Sequence, residues 1–300
     1  MQSAVAPTQR PRIEVTTAAS QKPIVVAAKE TTASIDNTNF RLFNNWIKSR
    51  LYMRYVQKGH KVVEIGVGQG GDLLKLWHQK PKSVVGIDIS QKLLANAKDR
   101  AHKQFLKTSD PFWTGALKWV EADLTDTRHY TKMVRDKVLH LPESIDVFSA
   151  QFSLTHMWGT QSVFEDLLEW IATFLKPGGY VIGTIPDGKA IEALLKNHGT
   201  NDATKFQSPL FSVSRYAGGS NSTVSSAADM DHKKKKPRVT ALADDDEKSS
   251  KALLFGQRIE FVIPDSIIAE AHDEFLIDWN TFRTLADKHG LMMVNEDMFE

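Results

Sequence analysis

The feature that most constrains the fold is a regular alternation of short apolar strands and amphipathic helices. The predicted strands are Lys61–Ile65, Ser83–Ile87, Leu117–Glu121, Ile145–Ala150 and Tyr180–Thr184. Helical patterns separate them, and one of these stops at Pro177-Gly178-Gly179. Strands that alternate with helices indicate an α/β fold with a doubly wound, mostly parallel sheet. In such folds the ligand binds where the strands end, at their carboxyl edge.

A glycine-rich turn follows the first predicted strand, in the string Glu64-Ile-Gly66-Val-Gly68-Gln-Gly70-Gly71-Asp72. Glycines at a strand-to-helix turn can adopt positive φ and let a ligand approach the backbone closely. The same string satisfies the G-x-G-x-x-G pattern of dinucleotide-binding turns. Taken alone, it therefore fits a nicotinamide enzyme as well as a methyltransferase.

Acidic residues at three successive strand ends favour the methyltransferase. Glu64 lies two residues before Gly66, where it would repel a pyrophosphate but favour the cationic amine and sulfonium of S-adenosylmethionine. Asp88 can accept the two ribose hydroxyls of either cofactor. Asp123 follows the third strand, where it either binds an adenine amino group or serves as a turn or helix-cap aspartate. The three acids together predict an S-adenosylmethionine site.

Composition and charge restrict the other classes of function. The chain has 300 residues, of which 41% are hydrophobic, enough for a core of ordinary size. Its net charge is only +2, so an anionic substrate must meet a local basic patch rather than a globally positive surface. The absence of cysteine excludes disulfides, thiol nucleophiles and thiolate metal sites, and no metal site is predicted. No apolar run is long enough to predict a membrane span.

Four motifs resemble those of the mRNA cap guanine-N7 methyltransferases, a family of class I S-adenosylmethionine-dependent enzymes with a Rossmann-like fold. They are Phe43-Asn44-Asn45-Trp46-Ile47-Lys48, Gly66 to Lys75, Ser149-Ala-Gln151-Phe152 and Pro177 to Pro186. The similarity runs from about residue 40 to the end, apart from residues 199–250. The motif with two asparagines is the most specific, because glycine-rich turns occur in every related family.

The resemblance implies roles for two groups of residues. Besides Glu64 and Gly68, the cofactor would be held by residues that match the family's own cofactor positions: Lys48, Gly66, Asp88, Asp123 and Gln151. The RNA cap would be bound by Asn44, Asn45, Lys75, Arg100, His156 and Glu274. Lys75 and Arg100 match phosphate contacts, and Glu274 matches the acid that reads guanine. Each assignment has an alternative. Lys75 and Arg100 could be ordinary solvated charges on helices, and the two asparagines could cap or turn the start of a helix. Glu274 could be an exposed acid in a loop, and His156 could be a structural histidine.

The residues also depart from the family pattern. The family follows Gln-Phe with two residues and then His-Tyr, whereas Gln151-Phe152 is followed by three residues and then His156-Met157-Trp158. Met157 or Trp158 would then replace the tyrosine. Family members also carry a further strand and a cap-facing tyrosine beyond the position that matches Glu300. A methyltransferase for a small molecule or a protein, and a non-catalytic cap-binding relative, therefore stay open.

Two segments are predicted to lie outside the folded domain. Residues 1–35 are read as a disordered N-terminal tail, and residues 199–250 as a flexible, low-complexity insertion in a methyltransferase domain of residues 36–300. Within the insertion, Lys233-Lys-Lys-Lys-Pro-Arg238 is typical of a nuclear localisation signal. Capped RNA, other capping enzymes and the transcription machinery are the expected partners.

Overall fold

The structure of the 300-residue chain is a computed structural model. It describes residues 38–105, 117–135, 143–200, 203–216, 255–263 and 272–295, and the backbone of residues 12–17. The helices are α1 (Thr38–Tyr55), α2 (Leu73–Gln79), α3 (Gln91–Phe105), α4 (Thr127–Arg135), α5 (Gln161–Phe174), α6 (Gly188–His198) and α7 (Trp279–Lys288). A 3-10 helix (Leu154–Met157) precedes α5.

Within the described residues, the main sheet contains seven parallel strands, which are β1 (Arg12–Thr17), β2 (Lys61–Ile65), β3 (Ser83–Asp88), β4 (Leu117–Glu121), β5 (Ile145–Gln151), β6 (Leu175–Ile185) and β11 (Met292–Asn295). Their order across the sheet is β11-β1-β6-β5-β2-β3-β4. The predicted α/β fold with a mostly parallel sheet is confirmed. Because the strands are parallel, their carboxyl ends meet along one edge of the sheet.

The two faces of the main sheet pack against different helices. Alternating strand residues such as Val62 and Val63 enter different core clusters, as the two-residue period of a strand requires. One face carries α1, α2 and α3, and the other carries α4, α5 and α7. This is the doubly wound arrangement, with helices on both faces. Each side chain at a strand end is therefore held between two packed layers.

Side-chain caps fix where three of the helices begin. Thr160 accepts a hydrogen bond from the backbone of Val163 at the start of α5. The side chain of Asp187 accepts hydrogen bonds from backbone N–H groups in the first turn of α6, and the side chain of Asp278 accepts one from the first turn of α7. Such caps satisfy backbone N–H groups that have no partner inside the helix.

A second, antiparallel sheet contains four strands among the described residues, which are β7 (Lys205–Gln207), β8 (Ser212–Arg215), β9 (Arg258–Val262) and β10 (His272–Phe275). Their order across the sheet is β10-β9-β8-β7. β7 and β8 lie in the segment predicted as a flexible insertion, so that prediction is wrong for residues 203–216. These residues are ordered because Val213 packs with Ile259 and with Ile191 of α6 in a third core cluster. Residues 217–250 lie outside the described residues.

β1 lies between β6 and β11 and is parallel to both. All six of its residues pair with β6, from Arg12 opposite Tyr180 to Thr17 opposite Ile185. The structure therefore differs from the predicted tail over residues 12–17, where the sheet provides pairing partners on both sides. The other residues of the predicted tail are not among those described. None of the described helices is both long and apolar enough to cross a membrane.

Candidate functional site

The glycine-rich turn connects the carboxyl end of β2 to α2 and has the backbone geometry that the sequence predicted. Gly66, Gly68 and Gly70 have φ angles of 67°, 52° and 72°, a region that side chains rarely adopt. A Cβ atom on Gly66 would lie 2.5 Å from the Cβ of Ser153. Because Gly66 and Gly70 lack side chains, the turn packs closely against its neighbours, whereas the space beside Gly68 is open to a ligand.

Asp88, at the end of β3, is 8% exposed and holds the glycine turn in place. One carboxylate oxygen accepts a hydrogen bond from the backbone N–H of Gly68 at 2.8 Å, and the other accepts one from Ser90 at 2.9 Å. Ile89 beside it is 61% exposed, although it is apolar. A carboxylate with an exposed apolar neighbour at this edge suits a nucleoside, whose ribose is polar and whose base is flat and apolar.

A buried chain of hydrogen bonds runs from Glu64 across the edge of the sheet. The Tyr52 hydroxyl of α1 lies 2.8 Å from both carboxylate oxygens of Glu64 and 2.9 Å from the Ser149 hydroxyl. The Gln151 amide donates to Ser149 at 3.0 Å and accepts from the Thr184 hydroxyl at 3.1 Å. Glu64 and Gln151, both predicted cofactor residues, are therefore joined in one buried network.

Burial and the nearby carboxylate of Asp72 raise the pKa of Glu64 to about 8, although hydrogen bonds from Tyr52 and Ser149 and the charge of Lys48 lower it. The ordinary pKa of this carboxyl group is 4.5, so the folded chain binds the Glu64 proton more tightly than the unfolded chain does. Folding stability therefore falls as pH rises between these two values. A cationic ligand would favour the charged form.

We expect this titration to be visible in unfolding experiments. Between pH 6 and pH 9 the unmodified chain should lose roughly 2 kcal/mol more of its free energy of unfolding than Glu64→Gln does. Urea denaturation at both pH values measures this difference. Glu121→Gln is the control, because Glu121 is exposed. Identical pH dependence in Glu64→Gln and in the unmodified chain would show that Glu64 does not titrate in this range.

Lys48 and Lys75 meet at the carboxylate of Asp72, just after the glycine turn. The Lys48 ammonium group lies 2.9 Å from one oxygen of Asp72, and that of Lys75 lies 2.8 Å from the other. Lys75 also donates to the side-chain oxygen of Asn45 at 2.9 Å. The three charged side chains are only 12–16% exposed. The structure thus connects the predicted cofactor residue Lys48 to the predicted cap residues Lys75 and Asn45 through Asp72.

A cleft of about 640 Å³ opens beside this cluster, between α1, α2 and α3. Its walls include Asn45, Lys75 and Arg100, three of the residues predicted to bind the cap, together with Gly70 and Gly71 of the turn. The alternative of solvated helix charges is wrong for Lys75, which is largely buried and paired. Since Asn44 and Asn45 lie inside α1 rather than at its start, the helix-start alternative is also wrong.

The remaining predicted residues lie around the same edge of the main sheet. Asp123 follows β4, and one of its carboxylate oxygens accepts hydrogen bonds from the backbone and the hydroxyl of Thr125. The turn alternative is therefore realised at Asp123, and its adenine contact stays a prediction. His156 lies on the 3-10 helix and is exposed. Glu274 is 5% exposed on β10, so the alternative of an exposed loop acid is wrong.

Comparison with known proteins assigns the chain to one family. Residues 14–228 match the model of the mRNA (guanine-N(7))-methyltransferase domain, which covers most of the chain. The chain belongs to this family. The resemblance noted in the sequence is thereby confirmed.

Curated relatives carry the same family name. An mRNA cap guanine-N(7) methyltransferase 1 of Oryza sativa subsp. japonica is 24% identical over 259 residues, covering 85% of this chain and 59% of the relative. The mRNA cap guanine-N(7) methyltransferase 1 of Arabidopsis thaliana is 30% identical over 159 residues, covering 51% of this chain and 40% of the relative. The mRNA cap guanine-N(7) methyltransferase of Saccharomyces cerevisiae is 27% identical over 264 residues, covering 86% of this chain and 52% of the relative. The chain thus spans 40 to 59% of the length of these relatives.

Trp158 does not take the place of the family's tyrosine. Its side chain is completely buried, and its ring packs against Phe164, Phe255 and Phe282 in the main core. Met157 is 8% exposed and belongs to the same cluster. The extra residue before His156 therefore brings an aromatic residue into the core rather than to the site.

Three side chains that position the site were not predicted from the sequence. They are Tyr52, Asp72 and Ser149, which hold Glu64, Lys48 and Lys75 in place. Tyr52 follows Lys48 by four residues on a helix, a spacing that places both on one helical face and could have revealed it. Ser149 pairs with Glu64 across β5 and β2, and a sequence does not specify that register.

Proposed function

We propose that this chain transfers a methyl group from S-adenosylmethionine to N7 of the guanine in an RNA 5′ cap. The observation that carries the proposal is the cluster in which Asp72 joins Lys48, at the glycine turn, to Lys75 and Asn45, at the cleft. A cofactor site and a site for a polyphosphate are thereby adjacent. Family membership supports the same reaction.

The residues present fit a methionine-derived nucleoside cofactor, which supplies the electrophilic methyl group when it is bound. The backbone of Gly66 is exposed, and nothing lies within 4 Å of the position that a Cβ atom on Gly68 would take, so a ligand has room there. Asp88 offers carboxylate oxygens to a ribose, and Glu64 offers a carboxyl group whose charged form a cationic ligand would favour. A dinucleotide would instead bring its pyrophosphate close to these carboxylates.

The chain's own residues would act by binding and alignment. Guanine N7 has a free lone pair and no proton to lose, so no general base is required. Lys75 and Arg100 would neutralise the cap triphosphate. Glu274 would accept hydrogen bonds from the guanine N1 and N2 groups and offset the positive charge that forms on the base. Alignment of the acceptor with the methyl donor then provides most of the rate enhancement.

The direct test is methyl transfer to an RNA that carries an unmethylated guanosine triphosphate cap. Labelled S-adenosylmethionine is incubated with the chain, and the cap nucleoside is released and identified. We expect label on N7 of this cap and none on an RNA whose cap is already methylated at N7. Binding of S-adenosylhomocysteine without transfer to the cap would contradict the proposal and favour a non-catalytic relative or another acceptor.

A nuclear location and contacts with other capping enzymes or the transcription machinery form a further part of the proposal. They rest on the basic run Lys233-Lys-Lys-Lys-Pro-Arg238, which lies outside the described residues. Capping acts on nascent transcripts, so a nuclear address agrees with the proposed reaction. A run of lysines can also hold RNA by charge alone.

A further inference from the structure

The cleft between α1, α2 and α3 continues well past the residues predicted to contact the cap phosphates. All three helices begin near the carboxyl edge of the main sheet and run toward its opposite edge, because α2 and α3 follow parallel strands and α1 ends just before β2 begins. From Asn45 to Met53, α1 lines the cleft over about 12 Å, at 1.5 Å per residue. This length gives room for more than a triphosphate.

The chemistry of the walls changes along this length. Near the sheet edge the walls carry Lys75 and Arg100. The other end is formed by Met53 of α1, His78 and Gln79 of α2 and Gln104 of α3, so it carries no second pair of ammonium or guanidinium groups. The cleft therefore passes from a cationic end to an end with an apolar surface and side-chain amides.

Two apolar side chains in the cleft are unusually open to solvent. Met53 is 60% exposed and Leu74 is 44% exposed, although each lies on a helix whose other large apolar residues include buried ones such as Leu51 and Leu76. Exposed apolar surface next to a polar ligand site is typical of a region that contacts a ligand. The side chains of Gln79 and Gln104 each provide donors and an acceptor for hydrogen bonds.

We propose that this far end of the cleft, formed by Met53, His78, Gln79 and Gln104, binds the first transcribed nucleotide of the capped RNA. The inference rests on the proposed function and names a further part of the substrate site. A nucleotide joined to a triphosphate at the cationic end would extend into this region. A base has an apolar face, which suits Met53, and a polar edge, which suits the two glutamines.

The charge pattern favours RNA over a protein segment as the occupant. The cationic groups stand at one end, where the triphosphate carries most of the negative charge of the substrate, and an end lined by neither lysine nor arginine follows. Arg100, unlike Lys75, has no carboxylate partner among the described residues, so its charge is available to the substrate. The far end then discriminates a longer RNA from a free nucleotide.

Steady-state kinetics on two substrates test the subsite. Guanosine triphosphate ends where the subsite begins, whereas a capped RNA of five nucleotides extends into it. In Met53→Ser and in Gln104→Glu, we expect KM for the capped RNA to rise about three- to tenfold, with KM for guanosine triphosphate changed less than about twofold. Gln104→Glu keeps the side-chain shape but adds a charge that repels RNA phosphates. Met292→Ser is the matched control, because Met292 is 48% exposed on β11, away from the cleft.

The outcomes separate the subsite from the proposed reaction. Equal changes for both substrates, or no change for the capped RNA, would overturn the subsite while transfer by the unmodified chain upholds the reaction. Absence of transfer to either substrate would contradict the reaction. In that case the subsite is judged by fluorescence anisotropy of the same capped RNA, labelled at its 3′ end. Weaker binding in Met53→Ser but not in Met292→Ser supports it, and unchanged binding overturns it.

Discussion

Replacing Glu274 by glutamine is expected to lower kcat/KM for cap methylation at least about 100-fold, while leaving the affinity for S-adenosylhomocysteine within about twofold. Glu274 is a buried carboxylate on β10, and β10 packs against the 3-10 helix that carries His156. Positive charge forms on guanine as N7 accepts the methyl group. A carboxylate in a site of low dielectric constant stabilises that charge more than an amide of the same shape does.

Glu260, a carboxylate on the strand next to Glu274, provides the control for the effect of the Glu274 charge on methylation. Glu260 lies on β9, beside the residue that pairs with Glu274. In Glu260→Gln we expect kcat/KM within about twofold of the unmodified chain, because Glu260 is only half-buried and, one residue along the strand from Ile259, faces the opposite side of the sheet. Initial rates with capped RNA and calorimetric titration with S-adenosylhomocysteine measure both quantities. If Glu274→Gln methylates the cap at the normal rate, Glu274 does not read the guanine.

The sequence predicted the main sheet well because its strands and helices have strong local signals. The strand Lys61–Ile65, for example, is rich in valine and isoleucine and ends at Gly66, and its residues from Val62 to Ile65 are buried on both faces of the sheet. β7 and β8 lack such signals. β7 has three residues and β8 has four, and most of their side chains are polar. Their strand structure therefore depends on the pairing of β8 with β9 and on the contacts of Val213. Tertiary pairing of this kind has no local sequence signature.

The candidate site was predictable in its outline but not in its connections. The glycine turn and Glu64 belong to one short contiguous pattern, and Asp88 lies at a strand end. The structure places them together. The role of Asp72 depends instead on Lys48, which lies 24 residues earlier in the sequence on α1. Because that contact is set by how α1 packs on α2, the sequence identified Lys48 but not its partner Asp72.

This connection leads to the second large effect. Replacing Asp72 by asparagine is expected to lower the free energy of unfolding by about 2 kcal/mol at pH 7, because it leaves two ammonium groups close together in a largely buried site. Burial opposes ionisation of Asp72, but Lys48 and Lys75 outweigh it and hold the pKa of this carboxyl below its usual range. The stabilisation is present at neutral pH and is lost as pH falls through the lowered pKa. The difference between Asp72→Asn and the unmodified chain should therefore shrink in strong acid.

An exposed ion pair provides the matched control for stability. Asp99 and Lys103 pair on the surface of α3, with exposures of 58% and 69%, and Asp99→Asn should change stability by less than about 0.5 kcal/mol. Urea denaturation at pH 7 and at pH 3 measures all three chains. A loss in Asp72→Asn no larger than in Asp99→Asn would show that the cluster does not stabilise the fold.

Asp72 should also couple the two halves of the site, which a purely structural residue would not do. Since Lys48 and Lys75 share its carboxylate, Asp72→Asn is expected to weaken S-adenosylhomocysteine binding and to raise KM for capped RNA together, each by about tenfold. Lys48→Met removes only the cofactor-side charge, and Lys75→Met only the cleft-side charge, so each single variant should affect mainly one ligand. If Asp72→Asn affects only one of the two affinities, the carboxylate positions a single lysine rather than joining the cofactor site to the cap site.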